Sequence, residues 1–172
     1  SSDVCSSDLE LEPNSQPAWS NLAAAYSLTG RYEQAVDAYR QALELGAAAP
    51  QLVLGLADAH VQLGNYARAI NTLKPRVGPD ASAAMFERLG YAHFKLRHFE
   101  KAMDRFQQAL NRNNEHVAAL NGLGVCLMTL YLEGDRQNAS QRNRALQAWR
   151  KSVKLRPNQP RIVDLISRYS RM

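Results

Sequence analysis

Apolar side chains recur along this chain at intervals of three and four residues, as in Trp19, Leu22, Ala23 and Tyr26. That spacing gathers them on one face of an α-helix. Turn signals punctuate the pattern. Pro17 and Pro50 stand where a first helical turn tolerates proline, because the missing N–H would have no partner there. Gly30 and Gly64 stand where a helix ends and the chain reverses with a positive φ. The pattern predicts helices along the chain and no strand.

The helical pattern repeats. Leu22, Leu56, Leu89 and Leu123 lie 34, 33 and 34 residues apart, each followed by a small residue: Ala23, Ala57, Gly90 or Gly124. Thirteen residues after the first three leucines comes an alanine, Ala35, Ala69 or Ala102. Four residues further on stands a large apolar side chain, Tyr39, Leu73 or Phe106. In the fourth copy Ala145 follows Leu123 by 22 residues, nine more than in the others. Trp149 and Ser152 then resume the usual offsets. A period of this length, with small residues where helices cross and aromatics beside them, describes a helix pair stacked many times. One pair cannot bury its face alone, so stability is collective along the array.

The fullest copy, Trp19, Leu22, Ala23, Tyr26, Gly30, Tyr32, Ala35, Tyr39 and Ala42, resembles the tetratricopeptide repeat. The resemblance spans residues 10–172 and implies an all-α, right-handed superhelical solenoid of antiparallel helix pairs. It divides the chain into the tail of a truncated repeat at 10–15, repeats at 16–49, 50–82, 83–116 and 117–158, and a capping helix at 159–172. The cap carries Ile162, Val163, Leu165, Ile166 and Tyr169, with Arg161, Arg168 and Arg171 toward water. Two departures stand out. Pro75 falls inside the second helix of the second repeat, which is expected to stop near Lys74, and Arg76 takes a site that is otherwise small. The nine extra residues predict an enlarged, polar turn over about 131–144, read as a mobile loop.

Ser1 to Leu9 carries no period. It reads as a polar tail or as foreign sequence, and it resembles the conceptual translation of a sequencing-library adapter. The chain is then expected to be a piece of a longer protein, and Cys5 carries no chemical weight.

Composition narrows the function. The chain has 172 residues, 45% of them hydrophobic and 22% charged, enough apolar content for a core. Its longest apolar runs are a few residues, so no membrane span is expected. Two cysteines exclude a disulfide framework or a zinc site of four cysteines. The net charge of +5 is uneven: residues 136–172 hold ten of the 21 basic residues and a single acidic one, Asp164. Such a segment attracts anions. Trp149 and Tyr169 fall on packing positions rather than among the cations, so specific nucleic-acid binding is not expected.

No phosphate-binding glycine loop, HExxH, GxSxG or CxxC occurs. His60 and His93 take the place of Tyr26 in their copies and read as packed side chains rather than metal ligands, while His98 and His116 sit near turns. Cys126, among small and apolar neighbours, reads as a buried thiol. The sequence predicts no catalytic residue, no cofactor and no metal.

The resemblance implies a protein–protein interaction scaffold that holds a peptide or partner helix in a groove lined by the first helices. Carried onto this sequence, the groove positions are Ser20, Ala24, Ser27, Leu54, Asp58, Val61, Glu87, Tyr91, Phe94, Lys95, Asn121, Val125 and Met128. The lysine, asparagine and arginine clamp with which some relatives grip a C-terminal carboxylate falls on Ser20, Ala24, Gly55, Asp58, Glu87 and Tyr91, and no residue matches. An apolar or mildly basic ligand is expected instead. The alternatives are anionic-ligand binding, to nucleic acid or a membrane surface, through the basic C-terminal segment, and a regulatory or substrate-presenting array of a larger enzyme.

Overall fold

A computed structural model describes residues 14–171; the readings of Ser1 to Leu9 and of residues 10–13 lie outside them. The described residues form nine α-helices, one 3-10 turn and no strand. The chain divides into two compact units, Ser1–Gly78 and Pro79–Met172.

In the first unit, α1 (Gln16–Leu28), α2 (Tyr32–Leu45), α3 (Pro50–Gln62) and α4 (Tyr66–Leu73) follow one another, and each packs against the next. Three-residue turns inside α1–α2 and α3–α4 force these partners antiparallel. Ser15 starts α1, its Oγ accepting from the Ala18 amide at 3.4 Å, and so belongs to this helix rather than to an earlier repeat. Gly30 and Gly64 occupy the turns with φ of 75° and 73°, a conformation that costs a side chain but not glycine. The core gathers Leu22, Ala23, Ala35, Val36, Tyr39, Ala42, Leu52 and Leu56, with Trp19 and Tyr26 half-buried at its edge. α4 ends at Leu73, where Lys74–Arg76 tightens into the 3-10 turn around Pro75.

The second unit holds α5 (Ala83–Lys95), α6 (Phe99–Arg112), α7 (Val117–Glu133), α8 (Ala139–Leu155) and α9 (Pro160–Ser170). Again each helix packs on the next, and α5 also meets α7. Ser82, His116 and Asn138 cap α5, α7 and α8 through side-chain acceptors, so His116 is a helix cap. Ala102, Phe106, Leu89, Leu123 and Trp149 are all buried. Trp149 lies against Gly124, where a Cβ would fall 2.3 Å from the indole Nε1, and that nitrogen donates to the Asn121 carbonyl at 3.3 Å.

The enlarged loop expected over 131–144 is not what the chain forms. α7 and α8 each have 17 residues, against 13 in α1 and 14 in α2, and they are separated by 134–138 alone. Of the nine extra residues, four extend α7, three extend α8 and two widen the turn. The added turn of α7 is held because it buries Tyr131, and that of α8 because Asn138 Oδ1 accepts from the Gln141 amide at 3.2 Å. Arginine, glutamine and alanine are good helix formers, so a polar composition did not make this segment a loop.

α9 rests on α8, with the Tyr169 ring 6.5 Å from that of Trp149. Ile162, Leu165, Ile166 and Tyr169 are half-buried, while Val163 faces outward at 46% exposure.

Candidate functional site

On α5, Glu87, Tyr91 and Phe94 follow one another at intervals of four and three residues and share a face. On α7, Ala118, Asn121, Gly122 and Val125 do the same. The two faces border a cleft of about 340 Å³, entirely within the second unit. Phe106, from α6, forms its back. The ring fits there because two glycines flank it: a Cβ would lie 2.8 Å from it at Gly90 and 2.3 Å at Gly122. Small residues thus let an aromatic reach the cleft from behind.

Of the groove positions taken from the sequence, Glu87, Tyr91, Phe94, Asn121 and Val125 come together in this cleft. Met128 is buried at 3% and does not line it, and neither does the exposed Lys95. Arg88, Ala118 and Gly122 line it without having been singled out. Their sequence signal is only position: each lies three or four residues from a groove residue on the same helix. In the first unit, Ser20 is half-buried and Ala24 exposed on α1, and Ser27 spends its hydroxyl on the Ala23 carbonyl at 2.9 Å. Leu54 and Asp58 are half-buried on α3, and Val61 is buried.

Two polar groups set the electrostatics of the cleft. Glu87, only 6% exposed, pairs with Arg88 at 3.6 Å. Asn121 is oriented from outside the cleft by Gln159, the residue that precedes α9. The Gln159 amide nitrogen donates to the carbonyls of Arg156, at 2.7 Å, and Ser152, at 3.0 Å. Carbonyls only accept, so this end of Gln159 must be the donor and Oε1 is left to accept. Asn121 Nδ2 donates to it at 2.7 Å. Asn121 Oδ1, the other end of that amide, is buried and without a hydrogen-bond partner. A buried acceptor left unmatched costs free energy until a donor reaches it. Glu87 and Asn121 thus bring acceptors, and Arg88 a cation, to a wall that is otherwise apolar and aromatic.

The remaining chemistry is structural. His60 is buried, and burial first, then the nearby Arg40 and Arg68, holds its pKa below the usual 6.5. His93, half-buried with its ring 5.9 Å from His98, is lowered by burial and then by His98, Arg105 and Lys101. Cys126 has no exposed surface, and burial pushes its thiol up to about 12, far from a reactive thiolate. Among the described residues no three His, Cys, Asp or Glu side chains are grouped to hold a metal, and no helix is long and apolar enough to cross a membrane.

Comparison with known proteins supplies the family. Models of the tetratricopeptide repeat match residues 17–46 and 87–130. Anaphase-promoting complex subunit cut9 of Schizosaccharomyces pombe is 32% identical over a match covering 58% of this chain. The chain spans about 15% of that relative's length. Among solved structures, MamA is 22% identical with a TM-score of 0.74, covering 90% of this chain and 80% of its own. YrrB, described as a TPR protein with an unusual peptide-binding site, is 20% identical with a TM-score of 0.64, covering 96% and 98%. At these identities the likeness shows the fold. With the helix pairs, the repeat period and both matched segments in agreement, the chain carries tetratricopeptide repeats.

Proposed function

We propose that this chain, a protein–protein interaction scaffold by virtue of its repeats, holds a peptide or partner helix in the cleft between α5 and α7. The carrying observation is the cleft itself: about 340 Å³ walled by Tyr91, Phe94 and Val125, with Asn121, fixed through its Nδ2 by Gln159, among its lining. Aromatic walls supply the contact area that anchors such interfaces. The acceptors Glu87 and Asn121 select a ligand that donates hydrogen bonds, through a backbone N–H or a lysine or arginine side chain. In the first unit, Leu54 and Asp58 offer an apolar and an acidic contact of their own, and YrrB shows that a protein of this fold can carry a peptide site.

The test is a random-peptide display library panned against the chain. Enriched sequences should pair an aliphatic or aromatic residue with lysine or arginine. The Tyr91→Ala, Phe94→Ala double variant should lose them while keeping its helical spectrum. Retention of the same peptides by a folded double variant would place the site elsewhere.

A further inference from the structure

The opposite side of α7 borders a second cleft, of about 230 Å³, also inside the second unit. Leu120, Leu123 and Leu127 lie along its floor, Gln107 of α6 stands on one wall, and Arg144 and Lys151 of α8 stand on the other. Arg144 and Lys151 are exposed and seven residues apart, two helical turns, or about 10 Å along α8. Neither has a carboxylate partner among the described residues, and no acidic or aromatic side chain lines the cleft. α8 itself carries no aspartate or glutamate along its whole length. The nearest acidic group on α6, Asp104, is occupied: it accepts from Gln108 at 3.0 Å and faces Arg105 at 3.8 Å.

We propose that this cleft docks an acidic amphipathic segment of a partner protein. Charge complementarity carries the assignment, since two unpaired cations flank a leucine floor, and the fitting occupant places carboxylates about two turns apart with aliphatic side chains between them. The long stems of Arg144 and Lys151 then cover those side chains while their heads stay wet and pair with the carboxylates. A nucleic acid fits this surface less well, because binding single strands draws on aromatic stacking that the cleft does not offer. The surface is separate from the α5–α7 cleft and does not depend on what that cleft holds.

The test uses the full chain and a fluorescent amphipathic peptide of leucine and glutamate, about 14 residues long so as to reach past both cations. Anisotropy should show binding that weakens as salt screens the pairs. The Arg144→Glu, Lys151→Glu variant should weaken it at least about tenfold, and both positions are exposed, so the fold should stand. The Tyr91→Ala, Phe94→Ala variant should bind this peptide as the wild type does, which separates failure here from failure of the α5–α7 cleft. A scrambled peptide of the same composition, lacking a leucine stripe, should bind more weakly. The proposal is overturned if the wild type does not bind the peptide, if the scrambled peptide binds equally, or if the charge-reversed variant binds unchanged. It is likewise overturned if oligothymidylate or phosphatidylserine vesicles occupy the same two cations more tightly than the peptide.

Discussion

α4 and α6 occupy the same place in the repeat, each following a 13-residue helix through a three-residue turn, and they turn out differently. α6 runs 14 residues and buries Phe99, Ala102, Phe106, Ala109 and Leu110. α4 runs eight and buries only Ala69 and Leu73. Pro75 explains the length: it has no amide to donate, and its ring clashes with the carbonyl four residues back, so the chain tightens into a 3-10 turn. The seat of the large side chain differs as well. Phe106 reaches between Gly90 and Gly122, whereas α4 offers the smaller Leu73. Seven residues after the recurring alanine, α6 has the fully buried Ala109, while the chain has already left α4 and places the exposed Arg76 in the 3-10 turn. A second helix that ends before this last small site gives up its final contacts. The comparison teaches that a proline which ends the second helix early leaves the pair closed over fewer buried side chains and a smaller central one.

The largest effect should therefore come from removing the aromatic. Phe106→Ala deletes a side chain 1% exposed and should cost the second unit about 3–5 kcal/mol, since a ring-sized cavity does not close fully. Leu73→Ala, at a position with no exposure, should cost the first unit less, about 2–4 kcal/mol, because fewer atoms leave. Urea unfolding combined with helix-resolved hydrogen exchange separates the two units. If Leu73→Ala matches or exceeds Phe106→Ala, the glycine-flanked seat is not what distinguishes them.

A smaller effect follows from the histidines. His60 and His93 stand where the first repeat has Tyr26, and both are held below the usual histidine value of 6.5, chiefly by burial. In the folded chain they take up a proton only at a lower pH than in the unfolded chain, where they do so below about 6.5. The unfolded state then binds more protons, so stability falls as pH drops through that value. His60, the more deeply buried, should dominate. Replacing it with tyrosine, the residue of the first repeat, should flatten the loss between neutral and mildly acidic pH. An unchanged slope in His60→Tyr would show that the histidine is not desolvated in the fold.

The core was legible in the sequence wherever packing imposes a period. Leu22, Ala35, Tyr39, Leu89, Ala102, Phe106, Leu123 and Trp149 follow from the need for small residues at helix crossings and bulk beside them, and all are buried, whereas Tyr26, expected with them, is only half-buried. The lining of the α5–α7 cleft was half legible. Tyr91, Phe94 and Val125 could be placed from their helical positions, but the orientation of Asn121 could not. It depends on Gln159, 38 residues away, and on two carbonyls that fix which end of that amide donates. The segment after Tyr131 misled for a related reason. Its polar composition suggested a loop, yet the burial of Tyr131 and the Asn138 cap decide the matter, and neither shows in composition.

The turn between α5 and α6 provides the finest comparison and the smallest expected effect. Gly30 and Gly64 take the left-handed conformation in the first unit, and in the second unit Arg97 takes it, with φ of 59°. A side chain in this region costs about 1–2 kcal/mol relative to glycine, offset in part because glycine loses more freedom on folding, about 0.5–1 kcal/mol. Arg97 also lies over the Phe99 ring at 5.1 Å and pairs with Glu133, at the end of α7. With side chains 71% and 43% exposed, that pair contributes at most about 1 kcal/mol and is screened by salt. Arg97→Gly should then be close to neutral at low ionic strength and stabilising by up to about 1 kcal/mol at high ionic strength, where the lost pair no longer counts. Thermal unfolding of the two proteins at low and high salt measures this directly. A loss above about 1 kcal/mol that persists at high salt would mean that the packing of the Arg97 stem over Phe99, rather than its charge, holds the turn against the end of α7.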